Sequence, residues 1–331
     1  PHSQKILINS DLNIFAEEKL SKIVKKNLRS YIKEIFLDCS QFLNKPIVSI
    51  WKFPYTYQSI FNLRLDVDPD RNTNKKKALS IIKDTFSTCS KFLDRTTFAI
   101  NFYNRYPDYN FFNKMIDTTK ADIQSHAFFH CLMPSRKFNE SNMKMAKNIL
   151  SNNNIYVKGF VVPEYFWYNN VSNILENEGY LYSNSLGFDH SNYPYKPVIN
   201  NKIFNYFELP VDPVTLNRVL KSSPEKNLEQ ISKIYLDYIN EKSNILGEPF
   251  LIYGHPGIEG KYTSILEKIL LIPDRFKDIL PITSTRWVEW LKDRNTLLSN
   301  ISINLRSDLK KIEYKVTNKN LASSKKFSIC L

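Results

Sequence analysis

A chain of 331 residues is long enough for one large α/β domain with appendages, or for two modest domains. The formal charge of +13 defines no basic patch, because the lysines are scattered apart from "NKKK" (74–77) and the C-terminal end, and specific nucleic-acid binding is not expected. No run approaches the roughly 18–20 apolar residues of a membrane helix and no signal-peptide pattern stands out, so a cytoplasmic protein without a transmembrane segment is the expectation.

Along 11–43, "NIFAEEKLSKIVKKNLRSYIKEIFLDCSQFL" repeats apolar positions at three- and four-residue spacing, with acids early and lysines later. That pattern predicts an N-terminal helical extension. From about residue 60, short apolar strands alternate with amphipathic helices. Strands are predicted over 61–68, 96–102, 121–125, 156–162, 180–185, 204–209, 249–254 and 279–283. Helices are predicted over 74–93, 140–150, 170–178, 226–242 and 285–293, with Gly179 ending one and Ser284 able to cap another. Such alternation argues for a parallel (β/α) barrel of seven or eight strands rather than an open doubly wound sheet. After about 297, period-two alternation with turn residues predicts a small β appendage. The expected domains are therefore 1–59, helical; 60–296, the barrel; and 297–331, β-rich. Four dispersed cysteines (Cys39, Cys89, Cys131 and Cys330) form no C-x-x-C pair and suit free thiols in a reduced compartment.

Three groups of residues carry chemistry. In "FNLRLDVDPD" (61–70), strand alternation places Asn62, Arg64, Asp66 and Asp68 on one face, with Leu63, Leu65 and Val67 on the other. Ionisable groups at the C-terminal end of a barrel strand are where barrel chemistry sits. A solvated strand-to-loop turn, or the metal-binding D-x-D of a sugar-nucleotide transferase, would read the same way in isolation. In "ADIQSHAFFH" (121–130), His126 and His130 stand four apart, the spacing of helical H-x-x-x-H metal sites. With one carboxylate from Asp68 they form a two-imidazole, one-oxygen set, leaving Asp66 beside the metal as a general base. In "PFLIYGHPGIEG" (249–260) an apolar strand runs into His255, placing a proton donor at another strand end.

"LRLDVD", "SHAFFH", "GFVVPEYFWYNNVSNILENEGYLYSNSLGFD", "FELPVD" and "LIYGHPG", in that order, resemble the polysaccharide deacetylases of the NodB-homology type (carbohydrate esterase family 4) over roughly 60–293. The resemblance implies a distorted (β/α) barrel and one divalent metal, usually zinc. It implies Asp66 as base, Asp68, His126 and His130 as metal ligands, and His255 as acid. It also implies an oxyanion contact from the backbone N–H of Glu164. Two departures stand out. The family's Arg-x-Pro-Tyr reads Val161, Val162, Pro163, Glu164 here, so the arginine that steadies the base is missing. An acid that orients the histidine is replaced by Ser183 or Asn184.

The implied reaction is metal-assisted hydrolysis of the N-acetyl group of an amino sugar, in a glycan or glycan precursor, releasing acetate. Tyr165, Phe166 and Trp167 are candidates to stack on sugar rings. Arg64 shares a face with Asp66 and is the candidate replacement for the lost arginine. Two rivals stand beside this reading. One is a catalytically silent barrel that binds a glycan or a protein partner. The other is a non-haem iron oxygenase, whose all-β fold the helical segments oppose.

Overall fold

The computed structural model describes residues 4–7, 13–16, 25–43, 49–68, 75–102, 120–186, 191–212, 215–216, 219–220, 228–306, 311–316 and 329–330. The chain divides into two compact units, Pro1–Ile23 with Gln58–Thr285, and Val24–Tyr57 with Arg286–Leu331.

The larger unit is a nearly closed parallel barrel. Its strands are β1 (Ser59–Val67), β2 (Thr96–Ile100), β3 (Asp122–Ser125), β4 (Gly159–Val161), β5 (Tyr182–Leu186), β6 (Phe207–Val211), β7 (Phe250–Gly254) and β8 (Ile279–Pro281). They hydrogen-bond in the order β6-β5-β4-β3-β2-β1-β7, with β8 also on β1, and every pairing is parallel. All eight predicted strands are present. Between β6 and β7 a backbone bond, Asp212 N–H to the Leu251 carbonyl at 2.7 Å, spans the seam.

The alternation of β1 divides its environment. Phe61, Leu63, Leu65 and Val67 join an outer apolar layer with Ile82 and Phe86 of α1 (Lys75–Cys89), and with Ile265 and Leu266 of a helix at Thr263–Leu270. A second layer packs Phe160 of β4 against Val171, Ile174 and Leu175 of α3 (Asn169–Asn177) and Met143 of α2 (Arg136–Asn152). Burial of this kind is worth about 1.5–3 kcal/mol for each large side chain. Asn62, Arg64 and Asp66 point the other way and are buried inside the barrel. Gly159 is required where it stands: a Cβ there would lie 2.3 Å from the Tyr182 ring, whose hydroxyl reaches Gln124 at 3.0 Å.

Some expectations need correction. The helix expected over 11–43 spans Lys25–Phe42, because Asn13–Ala16 pairs antiparallel with Gln4–Leu7. The helix at Leu228–Ile239 passes into a π-helical turn, Asn240–Ile245. That turn carries Lys242 into a buried ion pair with Asp212. The helix expected over 285–293 runs from Ser284 to Asn300. Thr263–Leu270 and the small hairpin of Val198–Ile199 with Lys202–Ile203 were not expected.

In the smaller unit, Ser49–Ile50 pairs antiparallel with Ile329–Cys330, and Ile301–Arg306 with Lys311–Val316. Arg294 donates to the Trp51 carbonyl at 2.8 Å. Among the described residues no helix is long and apolar enough to cross a membrane.

Candidate metal centre and its base

The C-terminal ends of β1, β3 and β7 meet at one rim. His126 Nε2 lies 3.2 Å from Asp68 Oδ1, and His130 Nε2 lies 3.1 Å from Asp68 Oδ2. The two Nε2 atoms are 3.0 Å apart. Among the described residues this is the group able to hold a metal ion, with one ligand atom from each residue inside a 4.8 Å spread. His255 Nε2 stands 3.6 Å from Asp68 Oδ2. The three expected ligands and the expected acid, His255, thus lie together.

The histidine pair is not helical. After β3 the chain runs through bends, with Ala127 at φ 61°, and α2 begins only at Arg136. A left-handed residue ends any α-helical hydrogen-bonding run, so the loop's polar groups find partners elsewhere. The side chain of Asn142, on α2, accepts from Phe128 N–H (3.0 Å) and Phe129 N–H (2.6 Å) and donates to the carbonyls of Phe129 (3.1 Å) and Cys131 (2.8 Å). Asn101 donates to the carbonyls of His126 and Ala127 at 2.8 and 3.1 Å. These two asparagines shape the cradle. Nothing in their own neighbourhood of the sequence marks them, since both act on a loop at least eleven residues away.

The donor set fits a divalent cation. His126 Nδ1 lies 2.9 Å from the Val161 carbonyl, an acceptor only, so Nδ1 carries the proton and Nε2 presents a lone pair. That lone pair faces a second imidazole nitrogen and a carboxylate, a donor set that suits a divalent cation. Burial works to raise the Asp68 carboxyl, yet the neighbouring imidazoles of His126 and His130 hold it well below the usual carboxylate range. Burial works to lower His126, yet Asp68 draws its pKa upward.

Asp66 is held apart from this cluster. Arg64 Nε and Nη2 grip its two oxygens at 2.6 and 2.7 Å, and both side chains are buried. Burial opposes the guanidinium charge, but Asp66 and then Tyr165 carry the Arg64 pKa above its ordinary value. Arg64 Nη2 also donates to the Tyr165 hydroxyl at 3.1 Å, and its Cζ sits 5.1 Å from the Tyr253 ring centroid.

Of the three aromatic residues expected to meet sugar, Tyr165 is turned toward Arg64 and its ring lies edge-on to Tyr253. Trp167 packs on the apolar layer around Phe160, and Phe166 is exposed. Glu164, expected to act through its backbone N–H, also brings its carboxylate 3.4 Å from His130 Nδ1. Ser183 is buried, and Asn184 donates to the Leu209 carbonyl at 3.2 Å.

This fold is shared with solved structures. A Mycobacterium smegmatis protein designated a polysaccharide deacetylase superposes with a TM-score of 0.60 at 14% identity, over 73% of this chain and 94% of its own. The allantoinase PuuE gives 0.58 at 11% identity, over 73% and 92%. A Pseudomonas aeruginosa PAO1 protein designated a polysaccharide deacetylase gives 0.55 at 12% identity, over 75% and 95%. No protein-family model and no curated protein matches the chain. Fold and rim together define a (β/α) barrel, shared with these proteins, that carries two histidines and a carboxylate at its strand ends.

Proposed function

We propose that this protein is a metal-dependent carbohydrate deacetylase that hydrolyses the N-acetyl group of an amino sugar. The observation that carries the reading is the meeting of Asp68, His126 and His130 at one point, with His255 3.6 Å from Asp68 and Asp66 two residues before it on β1. The two structural neighbours designated polysaccharide deacetylases support the substrate class. We assign the chemistry to the barrel, 60–296, and give neither 1–59 nor 297–331 a part in it.

Asp68, His126 and His130 would hold the ion, zinc by the nature of the donors. A bound divalent ion supplies Lewis acidity and lowers the pKa of coordinated water toward about 7. Asp66, fixed by the bidentate Arg64 grip, takes a proton from the attacking water as its oxygen adds to the acetamide carbon. The Glu164 backbone N–H donates to the oxyanion that develops. As the C–N bond breaks, His255 gives its proton to the departing amine, leaving acetate and a free amino sugar. Arg64 stands for the arginine absent at Val161, reaching the same carboxylate from β1 rather than β4.

The test measures metal content and acetate release from N-acetylated amino-sugar oligomers. The purified protein should hold one divalent ion per chain and release acetate. A folded His126→Ala, His130→Ala variant should lose both. Undiminished metal in that variant would overturn the ligand set. Bound metal without acetate release would favour a catalytically silent barrel that binds a glycan or a protein partner, the reading favoured by the arginine missing at Val161.

A further inference from the structure

The turn Pro163–Tyr165 holds two successive non-glycine residues in the left-handed region, Glu164 at φ 53° and Tyr165 at φ 54°. Such conformations persist where surrounding structure holds them, and they concentrate at functional sites. Here each residue of the turn reaches a different half of the rim. Tyr165 meets Arg64, and through it the base; Glu164 meets His130, and through it the metal cradle.

The two imidazoles are oriented by different acceptors. His126, fully buried, has the neutral Val161 carbonyl against Nδ1. His130 turns Nε2 toward Asp68 and His126, so with a metal on Nε2 its N–H is at Nδ1, and the Glu164 carboxylate lies 3.4 Å from that nitrogen, at ion-pair distance. A carboxylate accepting that N–H fixes the tautomer and makes the opposite nitrogen a stronger donor to a metal. The Glu164 side chain is more than half exposed, so substituting it disturbs little packing.

We infer that the Glu164 carboxylate is a positioning residue of the metal centre, acting through His130, in addition to whatever its backbone contributes. The inference rests on the metal site proposed above. Its effect belongs to metal affinity.

The experiment measures the zinc dissociation constant by competition with a chromophoric chelator, at fixed pH and ionic strength, for the unmodified protein, Glu164→Gln and Glu164→Gly. Glycine keeps the backbone N–H and accepts positive φ, so it removes the carboxylate without loading the turn. Glu164→Gly should bind zinc roughly 10–100-fold more weakly. Glu164→Gln, which keeps an acceptor but no charge, should fall between. The thermal midpoint of metal-free Glu164→Gly should be no lower than that of the unmodified metal-free protein, separating the effect from a loss of fold. Affinities equal to the unmodified protein in both variants would overturn the role of Glu164 and leave the metal site standing. No zinc binding by the unmodified protein would overturn the site itself, and this inference with it.

Discussion

The floor of the barrel and its rim are both lined by buried polar side chains, yet they are built on opposite principles. At the floor, Asp122 accepts from Thr285 Oγ1 (2.6 Å), Thr285 N–H (3.0 Å) and Thr97 Oγ1 (3.0 Å). Asn62 donates to the carbonyls of Arg95 and Ile282 and to Thr97 Oγ1, and accepts from Ser284 Oγ. Tyr182 closes the group, touching Gln124 and Thr285 Oγ1. Apart from Gln124 Oε1, the acceptors named there meet donors. At the rim, two imidazole nitrogens and a carboxylate face one another at 3.0–3.2 Å. A nearly saturated network stabilises a fold, whereas converging nitrogen and oxygen donors are the arrangement that a bound cation uses. The same barrel interior therefore holds a structural end and a chemical end.

The largest effects should come from breaking the rim. Asp66→Asn and His255→Ala should each keep the metal and lose roughly 10²–10⁴-fold in turnover, the contribution of a positioned base or acid. Metal loss in Asp66→Asn would show that the two acids have exchanged roles. Arg64→Met, which frees Asp66 to move, should cost about 10²-fold in turnover with metal content unchanged.

Breaking the floor should act on stability instead. Asp122→Ala leaves the Thr285 N–H and the Thr97 hydroxyl without their acceptor. It should cost about 2–4 kcal/mol in urea unfolding while zinc affinity stays within a factor of two or so. A floor variant that loses metal at unchanged stability would dissolve the distinction.

A separate effect, read only as a pH dependence, concerns a buried acid belonging to neither end. Glu208, on β6, is fully buried, and burial pushes its carboxyl up to about 8, with Ser185 and Ser183 of β5 opposing. Between the ordinary glutamate value near 4.3 and that value, the unfolded chain has released a proton that the folded chain retains. Stability from this group therefore falls as pH rises through that window and levels off above it. Glu208→Gln should flatten the decline of the thermal midpoint between pH 5 and 8. An unchanged slope in the variant would place the titration elsewhere.

The eight strands could be read in the sequence because apolar runs of four to eight residues recur between helical patterns, and backbone chemistry allows few other outcomes. Asp66, Asp68, His126, His130 and His255 could be read because ionisable residues at the ends of such runs are rare and their order is distinctive. Alternation along β1 also placed Arg64 beside Asp66, a contact within one strand. What lies across strands was not legible. The histidine pair was expected on a helix because four-residue spacing suits one, but Ala127 turns left-handed, and Asn101 and Asn142 reach in from other segments to hold the loop. Tyr165 was read as a sugar platform, but the turn after β4 brings its hydroxyl to Arg64. The carboxylate of Glu164 came to His130 by the same turn. Local periodicity and strand alternation are written in neighbouring residues, so the sequence alone determined the barrel and the residues at its rim. Which side chain supports which is set by distances between residues 10 to 100 positions apart, and only the closed tertiary fold decided that.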